Sequence, residues 1–547
     1  MRLCESTRPL LRLALAGGNF SVSDWYHPLL ARYSLRLRFS KALPWSGNVS
    51  ALGTIDWVIC AGYMAVVVTL GLWFSKRQRT NDEYFVGGRK MHWIPVGLSL
   101  FATTFSSNSF VGLPAEAAYK DYHLLLGIYF IPFVVIPLTC AFFIPFYRRL
   151  GITSLYEYLE MRFSRPVRLF ASLIFMVYSA GWMGNMLVAA AKILQVVLNS
   201  NEAQVFYILV AVGLLATIYT TMGGVKAVIW TDTLQAFALG GGMIFLLVIA
   251  LGKIDGGLSS VVELGSANNK FDMFRLDGGF REPNVFSACA FGFFVYMGGQ
   301  AASFTAVQRY VTVPSIADAR RALMIKAVFT FFACSLFFIV GTTLFVFYNQ
   351  SAPEVYQEFA TGKRTDQLLP HFVMNYSGGF GMTGLLLAGL FAAAMSSMDS
   401  GINSMTATLV IDWFRGREVG MFLNRLFTVL FGIIAITIGC LIQLIDMPVF
   451  HILMSIAGAF LGVLLGVILL GLTVRRANTT AAMIAFVAGL GGFGLARFLG
   501  LQTWWDGAFS CTFGFVAGLV AMYAAPAPRP EQIKRLMLFK LDRSEAD

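Results

Sequence analysis

The stretch from Gly389 to Asp412 reads GLFAAAMSSMDSGINSMTATLVID and lies in a long apolar segment that predicts a membrane helix. Four of its polar residues recur at spacings of three and four: Ser396, Asp399, Ser400 and Asn403. At this spacing they share one helical face. Small residues and hydroxyls also allow helices to pack closely, so the serines alone fit a packing face equally well. A carboxylate inside a membrane segment usually marks an ion or substrate path, and its oxygens suit a small hard cation.

The composition is that of a polytopic membrane protein. The 547 residues are 57% hydrophobic and 13% charged, with a mean hydropathy of +0.69, whereas soluble domains have about 25% charged residues. Basic cytoplasmic loops account for the net charge of +12, so we infer no nucleic-acid partner. The seven cysteines are scattered, and no HExxH or GxSxG motif occurs. We therefore expect no catalytic residues, no cofactor and no enzyme activity.

Thirteen apolar stretches follow one another along the chain, each near or above the roughly 20 residues that a spanning helix needs. They lie at 53–75, 92–119, 124–149, 165–198, 203–222, 226–252, 284–308, 318–349, 380–412, 422–445, 448–474, 479–499 and 507–526. The sequence thus predicts an all-α protein with about 13 transmembrane helices. It predicts one membrane domain over residues 51–526 and a short basic tail at 527–547.

Basic residues follow most odd-numbered stretches, including Lys76 and Arg77 after the first and Arg309 and Lys326 after the seventh. Because cytoplasmic loops are enriched in Lys and Arg, this pattern places the N-terminus outside and the C-terminus in the cytoplasm. Residues 1–50 are atypical, since they would carry seven basic residues across the membrane and contain no spanning apolar run. We expect much of this leader to be absent from the mature protein, through a mis-assigned start or processing.

The second stretch has a polar centre. It reads HWIPVGLSLFATTFSSNSFVGLPAEAAY from His92 to Tyr119, with Gly112 and Pro114 after its Ser, Thr and Asn residues. This pattern favours an interrupted helix, because unwound backbone at membrane depth lines cavities and supplies free carbonyls. A Ser/Thr packing face is the alternative. Asp232 lies near the start of the sixth stretch, where an acid can also simply stabilise a helix N-terminus.

Four ordered signatures between about Leu52 and Val520 resemble the sodium:solute symporter family, which includes glucose, iodide, monocarboxylate and multivitamin cotransporters. They are EYFVGGRKMHWIPVGLSLFAT (Glu83–Thr103), RLGITSLYEYLEMRFSRPVR (Arg149–Arg168), GGVKAVIWTDTLQ (Gly223–Gln235) and AAAMSSMDSGINS (Ala392–Ser404). The resemblance implies the five-plus-five inverted repeat of the leucine transporter, with one extra N-terminal helix and two C-terminal helices. The repeats would be stretches two to six and seven to eleven.

The resemblance also implies where ligands bind. A main sodium site would use the carbonyls of Ala102, Phe105 and Ala393 and the hydroxyls of Ser396 and Ser397. A second sodium site, found in some members, would use Asp232, Ser396, Asp399 and Ser400. The solute would bind near the membrane midplane beside Thr104, Ser106, Asn108 and Ser109. Sodium is the coupling ion, and no metal other than sodium is implied.

Two positions depart from the family's pattern. Asp399 stands where members carry a small or hydroxyl residue, so it could strengthen the second sodium site or hold a proton beside Asp232. Ser303 and Phe304 stand where many members carry Asn-Gln or Asp-Gln. No intramembrane arginine is predicted that would bind a carboxylate through two hydrogen bonds, which favours a neutral or hydroxyl-rich solute.

The sequence therefore predicts a secondary symporter that imports a small organic solute with sodium across the cell membrane by alternating access. Its partners would be the solute, Na⁺ and the lipid bilayer. A proton-coupled symporter of the same fold, a transporter-like membrane sensor and a channel are the alternatives.

Overall fold

A computed structural model of the chain describes residues 53–75, 81–361, 364–377, 381–414, 419–445 and 447–538. The leader expected to be absent from the mature protein, at 1–50, and the tail from residue 539 lie outside the described residues. Within them every regular element is a helix, and each of the thirteen predicted stretches falls on one helix or on a pair of helices. The all-α prediction is confirmed.

The main helices of the described residues are numbered in chain order. They are α1 (Thr54–Ser75), α2 (Trp93–Thr104), α3 (Ser107–Tyr119), α4 (His123–Leu150), α5 (Arg165–Val197), α6 (Glu202–Gly252), α7 (Val285–Ala302), α8 (Phe304–Val311), α9 (Ile316–Ser351), α10 (Thr383–Trp413), α11 (Met421–Ile442), α12 (Val449–Thr473), α13 (Thr479–Phe498) and α14 (Asp506–Ala521). Nine helices in the described part of the chain are long and apolar enough to cross a membrane.

Shorter helices occupy the connections. They are Asn81–Val86, Leu155–Arg162, Gly257–Ala267, Pro353–Thr361 and Leu368–Tyr376. Three of the main helices, α2, α3 and α8, are also short because each is one part of an interrupted span. The interruptions decide where ligands can reach the backbone.

The predicted interruption of the second stretch is confirmed. Helix α2 ends at Thr104 and α3 begins at Ser107, while Phe105 (φ −102°, ψ 98°) and Ser106 (φ −104°, ψ −177°) are extended. A second interruption, which the sequence did not predict, separates α7 from α8 at Ser303 (φ −95°, ψ 129°). The two interruptions lie in stretches two and seven, which open the two implied repeats. Each frees backbone groups inside the bundle.

Helix α6 joins the fifth and sixth predicted stretches through a sharp kink. Gly224 there has φ 54° and ψ −174°, a conformation that is open essentially to glycine alone. The chain therefore changes direction without a loop, and Asp232 follows the kink by about two turns of helix.

Residues of the signature between Arg149 and Arg168 connect helices to one another. Arg168 Nε donates to Asp412 Oδ1 at 2.8 Å, and the Ser154 hydroxyl donates to Asp412 Oδ2 at 3.0 Å. Arg162 donates to the Gly471 carbonyl in the last turn of α12 at 3.0 Å, and to the Val474 and Ala477 carbonyls after it at 2.7 and 3.0 Å. These contacts fasten the end of α10 to the start of α5 and satisfy the carbonyls at the end of α12.

Gly341 allows α9 to approach α3 closely. A Cβ at this position would overlap the Pro114 carbonyl oxygen and would lie 2.7 Å from the Ala117 Cβ. We expect Gly341→Ala to lower the free energy of unfolding by about 1–3 kcal/mol, measured as loss of thermal stability of purified protein. Gly240→Ala on α6 is the matched control, because nothing lies within 4 Å of its Cβ. Equal melting temperatures for the two variants would contradict the close approach.

The connection between α9 and α10 buries a histidine. His371 Nδ1 lies 2.6 Å from the Tyr348 hydroxyl, and burial lowers the pKa of His371 to about 4, against about 6.5 in an unfolded chain. The unfolded chain therefore takes up this proton first, and up to about 3 kcal/mol of stability is lost as the pH falls from about 6.5 towards 4. We expect the melting temperature of His371→Gln to fall less than that of the unmodified protein between pH 7 and 4.5. An equal fall would exclude His371 as the titrating group.

Candidate functional site

A cavity of about 150 Å³ lies beside both helix interruptions. Its polar lining consists of Thr103, Thr104, Ser109, Gln300, Ser303, Thr305, Arg309 and Lys326. Its aromatic lining consists of Tyr178, Trp182, Phe291, Tyr296 and Phe450. A mainly apolar pocket with a few polar groups is the usual form of a small-molecule site.

The cavity contains two of the four residues predicted to face the solute. Thr104 and Ser109 line it, whereas Ser106 and Asn108 are buried elsewhere. Because α3 restarts at Ser107, successive residues after the break point about 100° apart, so neighbouring side chains face different surroundings.

Asp232 lies at the centre of a fully buried polar cluster. Its Oδ2 accepts a hydrogen bond from the Ser99 hydroxyl at 2.6 Å, and its Oδ1 accepts one from the Ser396 hydroxyl at 2.5 Å. Arg309 Nη2 lies 3.3 Å from Asp232 Oδ2 and forms an ion pair with it. Asp232 is two turns into its helix segment, beyond the reach of the helix-terminal field, so its partners rather than the dipole account for its position.

The prediction that Arg309 lies in a basic loop was wrong. Arg309 is 1% exposed on α8 and lines the cavity. It donates to the Ser99 hydroxyl at 2.9 Å, to the Thr305 carbonyl at 3.1 Å and to the Ser400 hydroxyl. The interruption at Ser303 starts a new helix inside the bundle, and this directs the end of the span inward. The argument for a neutral solute therefore loses its premise.

Lys326 was also assigned to a basic loop, and it too is buried. It lies on α9 with 6% of its surface exposed, and its Nζ donates to Gln300 Oε1 at 2.7 Å. Lys326 lies about three turns from the start of α9. A residue that far inside a helix is not part of the preceding loop, so its position in the sequence already indicated burial.

The polar residues of the stretch Gly389–Asp412 lie in two different surroundings. Ser396 and Ser400 face the Asp232–Arg309 pair, as the second sodium site would require. Asp399 is 1% exposed, and its Oδ1 accepts a hydrogen bond from Thr220, which precedes the α6 kink. Three of the four predicted second-site residues thus lie around the Asp232–Arg309 pair, and Asp399 contacts Thr220 on the segment of α6 before the kink.

Asn403 has a structural partner. Its Oδ1 accepts a hydrogen bond from Gln308 Nε2 at 3.1 Å, and Gln308 Oε1 accepts one from the Ser404 hydroxyl at 3.0 Å. Gln308 Nε2 also donates to the Phe85 carbonyl at 2.8 Å. This network fixes α8 against α10, and so it holds the adjacent Arg309 towards Asp232.

The residues predicted for the main sodium site lie on two packed elements. Ala102 belongs to the last turn of α2, and Phe105 is the first residue of the interruption. Ser396 and Ser397 are fully buried on α10, which packs against α2, and Ala393 lies one turn earlier on α10. Their role as sodium ligands stays a prediction.

Residues 84–489 match the Sodium:solute symporter family. The chain belongs to this family. The Sodium/sialic acid symporter SiaT of Proteus mirabilis is 32% identical over 80% of this chain and 88% of its own length. The human Sodium/iodide cotransporter is 30% identical over 81% of this chain and 70% of its own length.

A solved structure of a Na⁺-coupled sialic acid symporter in a substrate-bound outward-open state matches the fold. It superposes with a TM-score of 0.77 at 30% identity, over 87% of this chain and 99% of that chain. The predicted family and leucine-transporter-like fold are therefore confirmed. As a member of the sodium:solute symporters, the protein is a multi-pass membrane protein that couples transport of a small solute to sodium.

Proposed function

We propose that this symporter imports a small organic solute together with Na⁺ by alternating access. It acts in the cell membrane, through a membrane domain spanning residues 51–526, with its N-terminus outside and its C-terminus in the cytoplasm. The cavity bordered by both helix interruptions carries this proposal, because it combines free backbone groups with a buried polar cluster. Its chemistry is binding rather than catalysis.

The main Na⁺ site in this proposal lies between the interruption after α2 and helix α10. The carbonyls of Ala102, Phe105 and Ala393 would replace part of the ion's hydration shell, as carbonyl oxygens do in cation filters. The hydroxyls of Ser396 and Ser397 would complete it. Ser396 supports this role because its proton is donated to Asp232, which leaves the oxygen lone pairs for a cation.

A second Na⁺ would compete with Arg309. The guanidinium of Arg309 contacts both Asp232 and Ser400, which are two of the proposed second-site ligands. It supplies the positive charge that a bound sodium ion would bring. We propose that Asp232, Ser396, Asp399 and Ser400 bind a second Na⁺ only when this guanidinium withdraws.

Transport by purified protein in proteoliposomes tests the proposed function. A solute panel is first scored for sodium-dependent thermal stabilisation, and the solute that stabilises most is then used for uptake. We expect accumulation with an inward sodium gradient at constant pH and none with a pH gradient in sodium-free buffer. Accumulation driven by the pH gradient alone would instead support proton coupling. Flux that never exceeds equilibrium would indicate a channel, and the absence of flux would indicate a sensor.

A further inference from the structure

Lys326 is a buried cation on the cavity wall. Its ammonium donates to Gln300 Oε1 at 2.7 Å, and 6% of the residue is exposed. In the described part of the chain, no carboxylate lies within ion-pair distance of Lys326. A buried charge is normally paired, so this side chain lacks the partner that its surroundings require.

The cavity carries excess positive charge. Two cations, Arg309 and Lys326, line it, and none of its lining residues is an Asp or a Glu. Asp232 lies behind the lining and neutralises Arg309. Lys326 is the second cation of this lining, and its ammonium contacts Gln300 rather than a carboxylate.

Two further polar groups border the same cavity. Gln300 Nε2 and Thr305 Oγ1 are buried, and neither has a hydrogen-bond partner among the described residues. Buried polar groups in folded proteins are nearly always paired, so unpaired ones at a cavity mark a place for a ligand or water. An ammonium, an amide N–H and a hydroxyl are all able to donate to the oxygens of one anion.

We propose that Lys326, Gln300 and Thr305 bind the carboxylate of the transported solute, which is a small organic anion. This proposal rests on the proposed function and names the substrate class of its cavity. A charge-assisted hydrogen bond from Lys326 would be the strongest of the three contacts. A neutral Lys326 would need no anionic partner. Gln300 Nε2 and Thr305 Oγ1 would still lack hydrogen-bond partners, whereas a bound carboxylate supplies them.

The rest of the cavity indicates the solute's size and body. A volume of about 150 Å³ equals that of an apolar cavity that holds benzene, so the solute has on the order of six to ten non-hydrogen atoms. Tyr178, Trp182 and Phe450 line the cavity with aromatic surface. A compact carboxylate with an apolar or aromatic body fits this lining.

Matched acids and amides test the charge of the solute without any variant. Propionate and propionamide, lactate and lactamide, and benzoate and benzamide are compared by thermal stabilisation at one pH and one sodium concentration. We expect at least one carboxylate to bind in a sodium-dependent way and its amide to bind at least about tenfold more weakly, because the amide lacks the charge. An amide that binds as tightly as its acid would overturn the proposal, as would failure of every carboxylate to stabilise the protein.

Lys326→Met then tests the residue. We expect the dissociation constant for the carboxylate to rise at least about tenfold. Lys326→Arg keeps the charge and should retain much of the affinity, and Lys253→Met, at an exposed lysine after α6, should change nothing. Unchanged carboxylate affinity in Lys326→Met would overturn the assignment. Stabilisation by Na⁺ alone should persist in every variant, and its absence in the unmodified protein would count against the proposed function instead.

Discussion

Asp232→Asn should destabilise the protein by about 3–5 kcal/mol, because it removes the charge that neutralises a fully buried arginine. Unfolding of purified protein in a constant detergent is the measurement. The double variant Asp232→Asn/Arg309→Gln should recover much of this loss, since neither charge is then left without a partner. Asp255→Asn, an exposed acid after α6, is the control and should leave stability unchanged within about 0.5 kcal/mol.

The single variant Arg309→Gln tests the competition between Arg309 and a second Na⁺. In Arg309→Gln the carboxylate of Asp232 loses its internal cation, so it should recruit sodium in its place. We expect sodium, relative to potassium, to stabilise Arg309→Gln more than it stabilises the unmodified protein. If Asp232→Asn were as stable as the unmodified protein, the ion pair between Asp232 and Arg309 would be absent from the detergent-purified protein.

The interruption after α2 could be predicted from the sequence, whereas the one at Ser303 could not. Around Phe105 and Ser106, consecutive hydroxyl residues with a following glycine and proline mark a helix that cannot continue as an ordinary span. Around Ser303 the chain has glycines and alanines inside an apolar run, without proline or a polar cluster. The local sequence around Ser303 therefore predicts a continuous helix.

The burial of Arg309 could not be predicted because it depends on contacts between distant residues. Arg309 follows the apolar stretch 284–308 in a chain where basic residues mark cytoplasmic loops, so the pattern assigned it to a loop. Arg309 is held by Asp232, which lies 77 residues earlier in the chain. A local pattern contains no information about such a partner.

The sequence correctly predicted a polar face on α10. It did not indicate that the two edges of this face contact different neighbours. Ser400 is one residue from Asp399, and one residue is a rotation of about 100° around a helix. The two side chains therefore lie on opposite edges of the face. In this structure Ser400 contacts Arg309 on α8, and Asp399 contacts Thr220 on α6.

Ser396→Ala should raise the sodium concentration needed for half-maximal stabilisation by roughly tenfold to a hundredfold. The Ser396 hydroxyl donates to Asp232 at 2.5 Å, so the carboxylate increases the negative character of the oxygen that we assign to sodium. Removing it deletes one ligand and one hydrogen bond to a charged group, worth about 1.5–3 kcal/mol, and about 1.4 kcal/mol corresponds to tenfold in affinity. Sodium titration of the melting temperature is the measurement.

Ser404→Ala separates this effect from a general loss of packing. Ser404 is equally buried on α10, two turns beyond Ser396, and donates to Gln308 rather than to the Asp232 cluster. We expect its removal to lower the melting temperature without shifting the sodium titration. If both variants shifted the titration equally, sodium would be sensing the packing of α10 as a whole. If neither did, Ser396 would serve Asp232 alone, and the main sodium ligands would have to be sought elsewhere along the interruption after α2.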